Sequence, residues 1–333
     1  MRSGPRGASA ILGGMPASVF APLLDALRAR ITAEVRGTVH GGDLHLERYD
    51  RPPGDPGLIP APADGGERLP WRVHAHVTGM LTGGFAALML QSLHPLAMAA
   101  VDQHSDFRTD PVGRLNRTVR FVNATTFGST ASARAALDTV RRVHTFVHGT
   151  APDGRPYRAD DPALLTWVHT AEVRCFLAGY QVFGPEPLGP ADCDRYYDQA
   201  AVVAEELGAK DVPRSAREVA RYLSAIRPEL SATPAAIEAL RFLRGFGRTP
   251  VERAAVRVLM NASLGLLPGW ARAELGVRRP LPVRRGLDRP AARALGGTLQ
   301  WARGPSLLAL ATERRVAGAA GSAGTEDGPA GEV

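Results

Sequence analysis

Asp161-Pro162-Ala-Leu-Leu-Thr-Trp167-Val-His169-Thr-Ala-Glu-Val173-Arg-Cys-Phe176-Leu-Ala-Gly-Tyr180-Gln-Val-Phe183-Gly184-Pro185 decides the fold class. An aspartate before a proline starts a helix, because the carboxylate caps free amides and proline fits the first turn. Gly184-Pro185 then ends it. Between these signals His169, Val173, Phe176 and Tyr180 recur at 4-3-4 spacing, which puts them on one core-facing side. The reading is a long buried helix that carries a histidine inward.

Working outward, the same signals repeat. Met80 to Val101 is the most apolar window and reads as a buried core helix rather than a membrane span, since Gln91, Ser92, His94 and Pro95 would be costly in lipid. Thr130 or Ser132 can cap the helix that carries His144, and Gly149 is placed to stop it. Val19 to Val35 has helical spacing, and Arg51 to Glu67 is Pro/Gly-rich and predicts an exposed linker. Only Val119 to Asn123 and Asp43 to Leu46 suggest extended chain. The division that follows is an N-terminal helix and linker over 1–68, one all-α domain over 69–276, an extension over 277–306, and a tail over 307–333 too poor in apolar residues to order itself.

Composition narrows the function. The 333 residues are 44% hydrophobic and carry a net charge of +7, almost all of the positive side being arginine, with Lys210 the sole lysine. Arginines are spread along the chain among acids, with no aromatic-interleaved basic stretch, so no nucleic-acid partner is expected. Alanine, glycine, arginine and proline are together what a GC-rich coding sequence yields. Two cysteines, Cys175 and Cys193, without a CxxC pair predict a reduced, cytoplasmic protein. No stable membrane insertion is expected.

Several residues could carry chemistry. His144 and His148 lie four apart, a spacing that can chelate metal, yet Thr145 stands where a zinc protease has glutamate. Two such histidines are more commonly one buried and one exposed residue, and His144, beside Val140, Val143 and Val147, is the candidate for the buried role. His169 is either a core histidine satisfied by a carbonyl or a neutral imidazole set against a ligand. Arg114 and Thr118 share a helical face with Arg117 beside them, a set suited to a carboxylate but equally to a solvated helix. Asp102 and Asp106 are the nearby acids. There is no Gly-x-Ser-x-Gly elbow, no Glu-x-x-His pair and no phosphate-cradling loop, which argues against serine hydrolases, di-iron carboxylate bundles and nucleotide enzymes.

Taken in order, Leu-His94-Pro95, His104-Ser105-Asp106-Phe107, Asp110-Pro-Val-Gly113-Arg114-Leu-Asn-Arg117-Thr118, Phe127-Gly128, Val140-Arg141-Arg142-Val-His144-x-x-Val147-x-Gly149, Asp153-Gly154-Arg-Pro-Tyr157, Asp161-Pro162 and Trp167-Val168-His169 resemble the MpaB-type oxygenase family, which includes the rubber oxygenases. The resemblance runs from about residue 75 to 275, through Arg195-Tyr196-Tyr197 and Leu267-Pro268-x-Trp270. It implies a globin-like helical core with flanking helices, haem b as cofactor, O2 as co-substrate and a hydrophobic, isoprenoid- or lipid-like substrate. It also implies His144 as the axial iron ligand, with Arg114, Arg117, Thr118 and His169 around the haem and Asp106 near the chemistry. Arg117 stands where the rubber oxygenases have a lysine that can reach iron; arginine keeps its proton, so that axial position is expected to be open, water-filled or differently closed. The acid/base glutamate of the rubber oxygenases has no evident counterpart. The alternatives are a helical protein that binds a hydrophobic ligand without catalysis and a family member without its cofactor.

Overall fold

A computed structural model describes residues 47–62, 65–247, 249–303 and 306–322. The expectations for Val19–Val35 and Asp43–Leu46 lie outside these residues. The protein is all-α, with thirteen helices of six or more residues among the described residues and one two-stranded hairpin. They are α1 (Leu69–Ala75), α2 (Val77–Gln91), α3 (Pro95–His104), α4 (Pro111–Phe127), α5 (Thr130–His144), α6 (Pro162–Phe183), α7 (Pro190–Leu207), α8 (Ala216–Ile226), α9 (Pro234–Gly245), α10 (Pro250–Leu264), α11 (Gly269–Glu274), α12 (Arg289–Arg303) and α13 (Leu307–Ser322). The strands β1 (His148–Thr150) and β2 (Pro156–Arg158) lie between α5 and α6 and pair antiparallel with Gly149 opposite Tyr157.

The core is built on α6 against α2. The Asp161 carboxylate accepts from the amides of Ala163 (2.8 Å) and Leu164 (3.2 Å), and Gly184 closes the far end on the Tyr180 carbonyl, as the sequence predicts. The two helices touch backbone to backbone because glycine is present on both. A Cβ on Gly83 would lie 2.8 Å from the Cys175 carbonyl oxygen, and one on Gly179 only 2.3 Å from that of Gly79. Trp167, fully buried, donates to the Gln91 carbonyl (3.2 Å), while the Gln91 amide donates back to the Val168 carbonyl (2.9 Å). That exchange ties the C-terminal end of α2 to α6 and satisfies polar groups that burial would otherwise leave stranded.

Five local expectations are corrected. Met80 to Val101 is two helices, broken at Ser92–His94, because Pro95 cannot continue α2 and instead starts α3, with His94 Nδ1 accepting from the Leu96 amide (3.3 Å). Val119 to Asn123 is helical: Asp110 and Pro111 start α4 upstream, and the short β-branched run cannot override a helix already begun. The cap of α5 is Ser129, one position before Thr130, its hydroxyl accepting from the Ser132 amide. That helix ends at His144, not at Gly149. Gly149 belongs to β1, where a Cβ would come within 2.7 Å of the Tyr157 hydroxyl. Finally, Leu307–Ser322 is a helix, with Leu308, Ala311, Thr312 and Arg315 buried.

Arg315 explains the last correction. Its guanidinium donates to the carbonyls of Tyr49, Asp55 (3.0 Å) and Phe127 (2.8 Å), so a side chain that composition treats as solvated becomes an internal clamp. The Pro/Gly-rich segment is held by the same clamp. Ile59 is buried, and Asp55 accepts from the Thr130 amide and hydroxyl (2.9 Å each). No single described helix is long and apolar enough to cross a membrane.

Candidate functional site

The helices bring polar groups into the core from α1, α4, α6 and α7. His74, on α1, is held at both ring nitrogens: Nδ1 lies 2.9 Å from the Thr126 hydroxyl of α4 and Nε2 3.0 Å from the Tyr196 hydroxyl of α7. Its ring meets those of Phe176 and Tyr196 edge-on, at centroid distances of 5.1 and 5.8 Å. Burial, reinforced by the neighbouring His169, pushes its pKa down to about 3, so the ring is neutral at physiological pH.

His169 and Glu172 stand one turn apart on α6 beside this group. Burial alone lowers His169 to about 4 and raises Glu172 to about 7. The Glu172 carboxylate also acts, together with burial and Tyr197, to hold the Tyr196 hydroxyl well above its ordinary range. Both side chains sit deep, yet neither residue is fully closed to a water-sized sphere. Neither side chain has a hydrogen bond or ion pair to another described residue. An unpaired imidazole and an unpaired carboxyl in an apolar wall are held neutral by the cost of charging them there.

The predicted residues fall into two groups. Arg114, Arg117 and Thr118 are on α4 and His144 is the last residue of α5; the two helices pack against each other across the Gly128–Ser129 corner. Arg114 lies in the first turn of α4, fourteen residues before Gly128, and His144 closes α5, fifteen after Ser129. His144 is half-buried and its pKa is lowered by burial, against a smaller opposite pull from Asp160. Arg114 is half-buried too, its own pKa lowered by burial and by the adjacent Arg117, and no described carboxylate or carbonyl takes its guanidinium. Arg117 is exposed and pairs with Asp110 (3.4 Å), and the exposed Thr118 hydroxyl donates back to the Arg114 carbonyl (3.2 Å).

Asp106 stands apart from these residues. Its side chain is exposed in the loop between α3 and α4, and its backbone carbonyl, rather than its carboxylate, holds the turn by accepting from the Thr109 and Asp110 amides. His169 is the predicted residue that joins the core group of His74, Thr126, Glu172 and Tyr196. His148 is exposed on the hairpin, as expected for the outer of the two histidines.

Sequence reasoning missed His74, Glu172 and Tyr196 as site members. One signal was legible: His169-Thr-Ala-Glu172 is a histidine and a carboxylate at i and i+3 in an otherwise apolar helix. His74 had no such mark, since its partners lie 52 and 122 residues away. A further cavity of about 340 Å³ lies on another side of α6, between Arg174, Leu177, Gln181, Tyr197 and Leu266, and includes none of these histidines.

The donor set bears on which cofactor could be held. Among the described residues no three His, Cys, Asp or Glu side chains converge as a metal would require. Haem asks less of the protein, because the macrocycle supplies four of the ligand atoms. One imidazole and one unpaired cation for a carboxylate suffice, and the half-buried His144 and the unpaired Arg114 are groups of these kinds.

A family model described as ER-bound oxygenase mpaB/B'/Rubber oxygenase, catalytic domain, matches residues 71–301. No curated protein and no solved structure matches the chain.

Proposed function

Because the chain belongs to the MpaB/rubber oxygenase catalytic-domain family, whose activity is that of an oxygenase, we propose that it is a haem b-dependent oxygenase acting with O2 on a hydrophobic, isoprenoid- or lipid-like substrate. The observation that supports the haem assignment is the unpaired, half-buried Arg114 guanidinium on α4, with the half-buried His144 imidazole at the end of the neighbouring α5. A cation withdrawn from water without an anion is costly. A haem propionate would relieve that cost.

In this reading His144, whose neutral form burial favours, would hold the haem iron, and Arg114 would pair with a haem carboxylate. Thr118 and Arg117 border the same turn of α4. Arg117 is engaged with Asp110 at the surface (3.4 Å). When bound, haem supplies the activation of O2, while the protein supplies position, dryness and protons. Glu172, near 7, is the interior group that can take up and release a proton at physiological pH, while His169, lowered to about 4, stays a neutral imidazole there. We assign Glu172 the acid/base place; Asp106, which the resemblance put near the chemistry, is exposed in the loop before α4. The apolar lengths of α2 and α6 favour a hydrophobic substrate. Both cysteines are free thiols, which supports a reducing, cytoplasmic setting.

The test is a visible spectrum of the purified protein reconstituted with haem. A Soret band that His144→Ala abolishes and His169→Ala retains supports the assignment. A parent protein that stays colourless and refuses haem overturns it in favour of a family member without the cofactor.

A further inference from the structure

Residues 277–303 contain seven arginines and a single carboxylate, Asp288. That carboxylate is buried and held by Arg279 through two contacts of 2.5 Å, so it neutralises none of the others. The segment winds through a π-helical turn, Arg284–Asp288, straight into α12. Its inner side is occupied: Asp288, Ala292 and Gly296 are buried at four-residue spacing, and a Cβ on Gly296 would fall 1.8 Å from the Thr78 hydroxyl of α2.

The outer side is the unusual one. Leu287, Pro290, Ala294, Gly297, Thr298 and Trp301 are all exposed and recur every three or four residues, which lines them up as one stripe without a charge. Leu287 is 60% and Trp301 43% exposed, on a helix whose core face is already satisfied elsewhere. Between this stripe and the buried side runs a second ridge, Arg285, Arg289 and Arg293, also at four-residue spacing. Arg293 is partly engaged, donating to the Val182 carbonyl (2.7 Å), whereas Arg285 and Arg289 meet no described carboxylate. The arginines are close enough to repel: Arg285, Arg293 and Arg284 each depress the pKa of Arg289, after burial. An apolar stripe beside a ridge of like charge is stable in water only at a cost, and both costs fall at a surface that is anionic outside and apolar within.

We propose that this face of α12 docks the protein on an anionic lipid bilayer. Leu287 and Trp301 enter the interface, where an indole is at home, and the arginine ridge meets the headgroups. The binding is peripheral, since no single described helix can span a membrane. A nucleic acid would satisfy the ridge but not the stripe, and a second copy of the chain would cover the stripe but bring the two ridges into repulsion.

The experiment is co-sedimentation of the full chain with vesicles of phosphatidylcholine alone and of equimolar phosphatidylcholine and phosphatidylserine. Binding to the anionic vesicles is expected to exceed binding to neutral ones by about tenfold or more, and to weaken with salt. Leu287→Ser/Trp301→Ser and Arg285→Glu/Arg289→Glu should each remove at least about tenfold of it, with circular dichroism unchanged because Leu287, Trp301 and Arg285 are exposed and Arg289 is only half-buried. Trp301→Phe should keep the binding but lose the blue shift of tryptophan emission on adding vesicles. The proposal is overturned by equal binding to both vesicles, by no binding, or by variants that sediment like the parent. It is equally overturned if light scattering shows a dimer that Leu287→Ser/Trp301→Ser dissolves while vesicle binding is absent. None of these readouts depends on haem, so failure here leaves the oxygenase reading standing.

Discussion

Replacing Glu172 by glutamine should change stability by an amount that depends on pH, and the sign follows from where the proton sits. Burial raises the Glu172 carboxyl from 4.5 to about 7 in the folded protein. Below 4.5 the group is protonated in both folded and unfolded chains and contributes nothing to the pH dependence. Between 4.5 and 7 the unfolded chain releases the proton while the folded one keeps it, so stability falls as pH rises. Above 7 the loss levels off. Between pH 5 and pH 8 the change amounts to at most about 2.5 kcal/mol, at about 1.4 kcal/mol per pKa unit, and the residue's remaining exposure reduces it. Glutamine has no such titration. Urea unfolding of cofactor-free parent and Glu172→Gln protein at both pH values should therefore show the variant gaining on the parent by roughly 1–2.5 kcal/mol from pH 5 to pH 8. The difference between the two pH values is the measured quantity, because it cancels any fixed cost of burying an amide. A variant that is offset from the parent by the same amount at both pH values would refute the claim that Glu172 is a neutral carboxyl withdrawn from water.

His169 should behave in the opposite sense. Its folded pKa of about 4 lies below the ordinary 6.5, so the parent loses stability as pH falls from 6.5 towards 4, and His169→Phe should flatten that limb in the same unfolding series. On haem titration Arg114→Gln should weaken retention by about tenfold or more, whereas Arg117→Gln, which breaks only an exposed ion pair, should change stability by less than about 1 kcal/mol and leave retention intact. Gly179→Ala drives a methyl into the Gly79 carbonyl and should cost about 3 kcal/mol or more in chemical denaturation, by forcing α2 and α6 apart. Arg315→Ala should cost about 3 kcal/mol, because the carbonyls of Asp55 and Phe127 lose a charged donor, and limited proteolysis should then release the C-terminal helix first.

How much of this was open to sequence follows from the range of each interaction. The start and end of α6 were legible because an aspartate cap, a first-turn proline and a terminal glycine act within four residues. The inward face of His169 was legible for the same reason, since helical periodicity is local. So was the division of roles between His144, half-buried, and His148, exposed. The break before Pro95 was written in the sequence too, but hydrophobicity over a long window hid it. The ordered tail was not read: Leu307–Ser322 has only four apolar side chains larger than alanine, and its anchor, Arg315, works only because carbonyls about 190 and 260 residues distant converge on it. The partners of His74, the desolvation of Glu172 and the unpaired state of Arg114 are likewise properties of place. Sequence determined which side chains could be buried, through spacing and caps, and through its ordered motifs it determined the family. Tertiary packing alone decided which of those side chains lost water, and withdrawal from water is what turns an ordinary histidine, glutamate or arginine into part of a site.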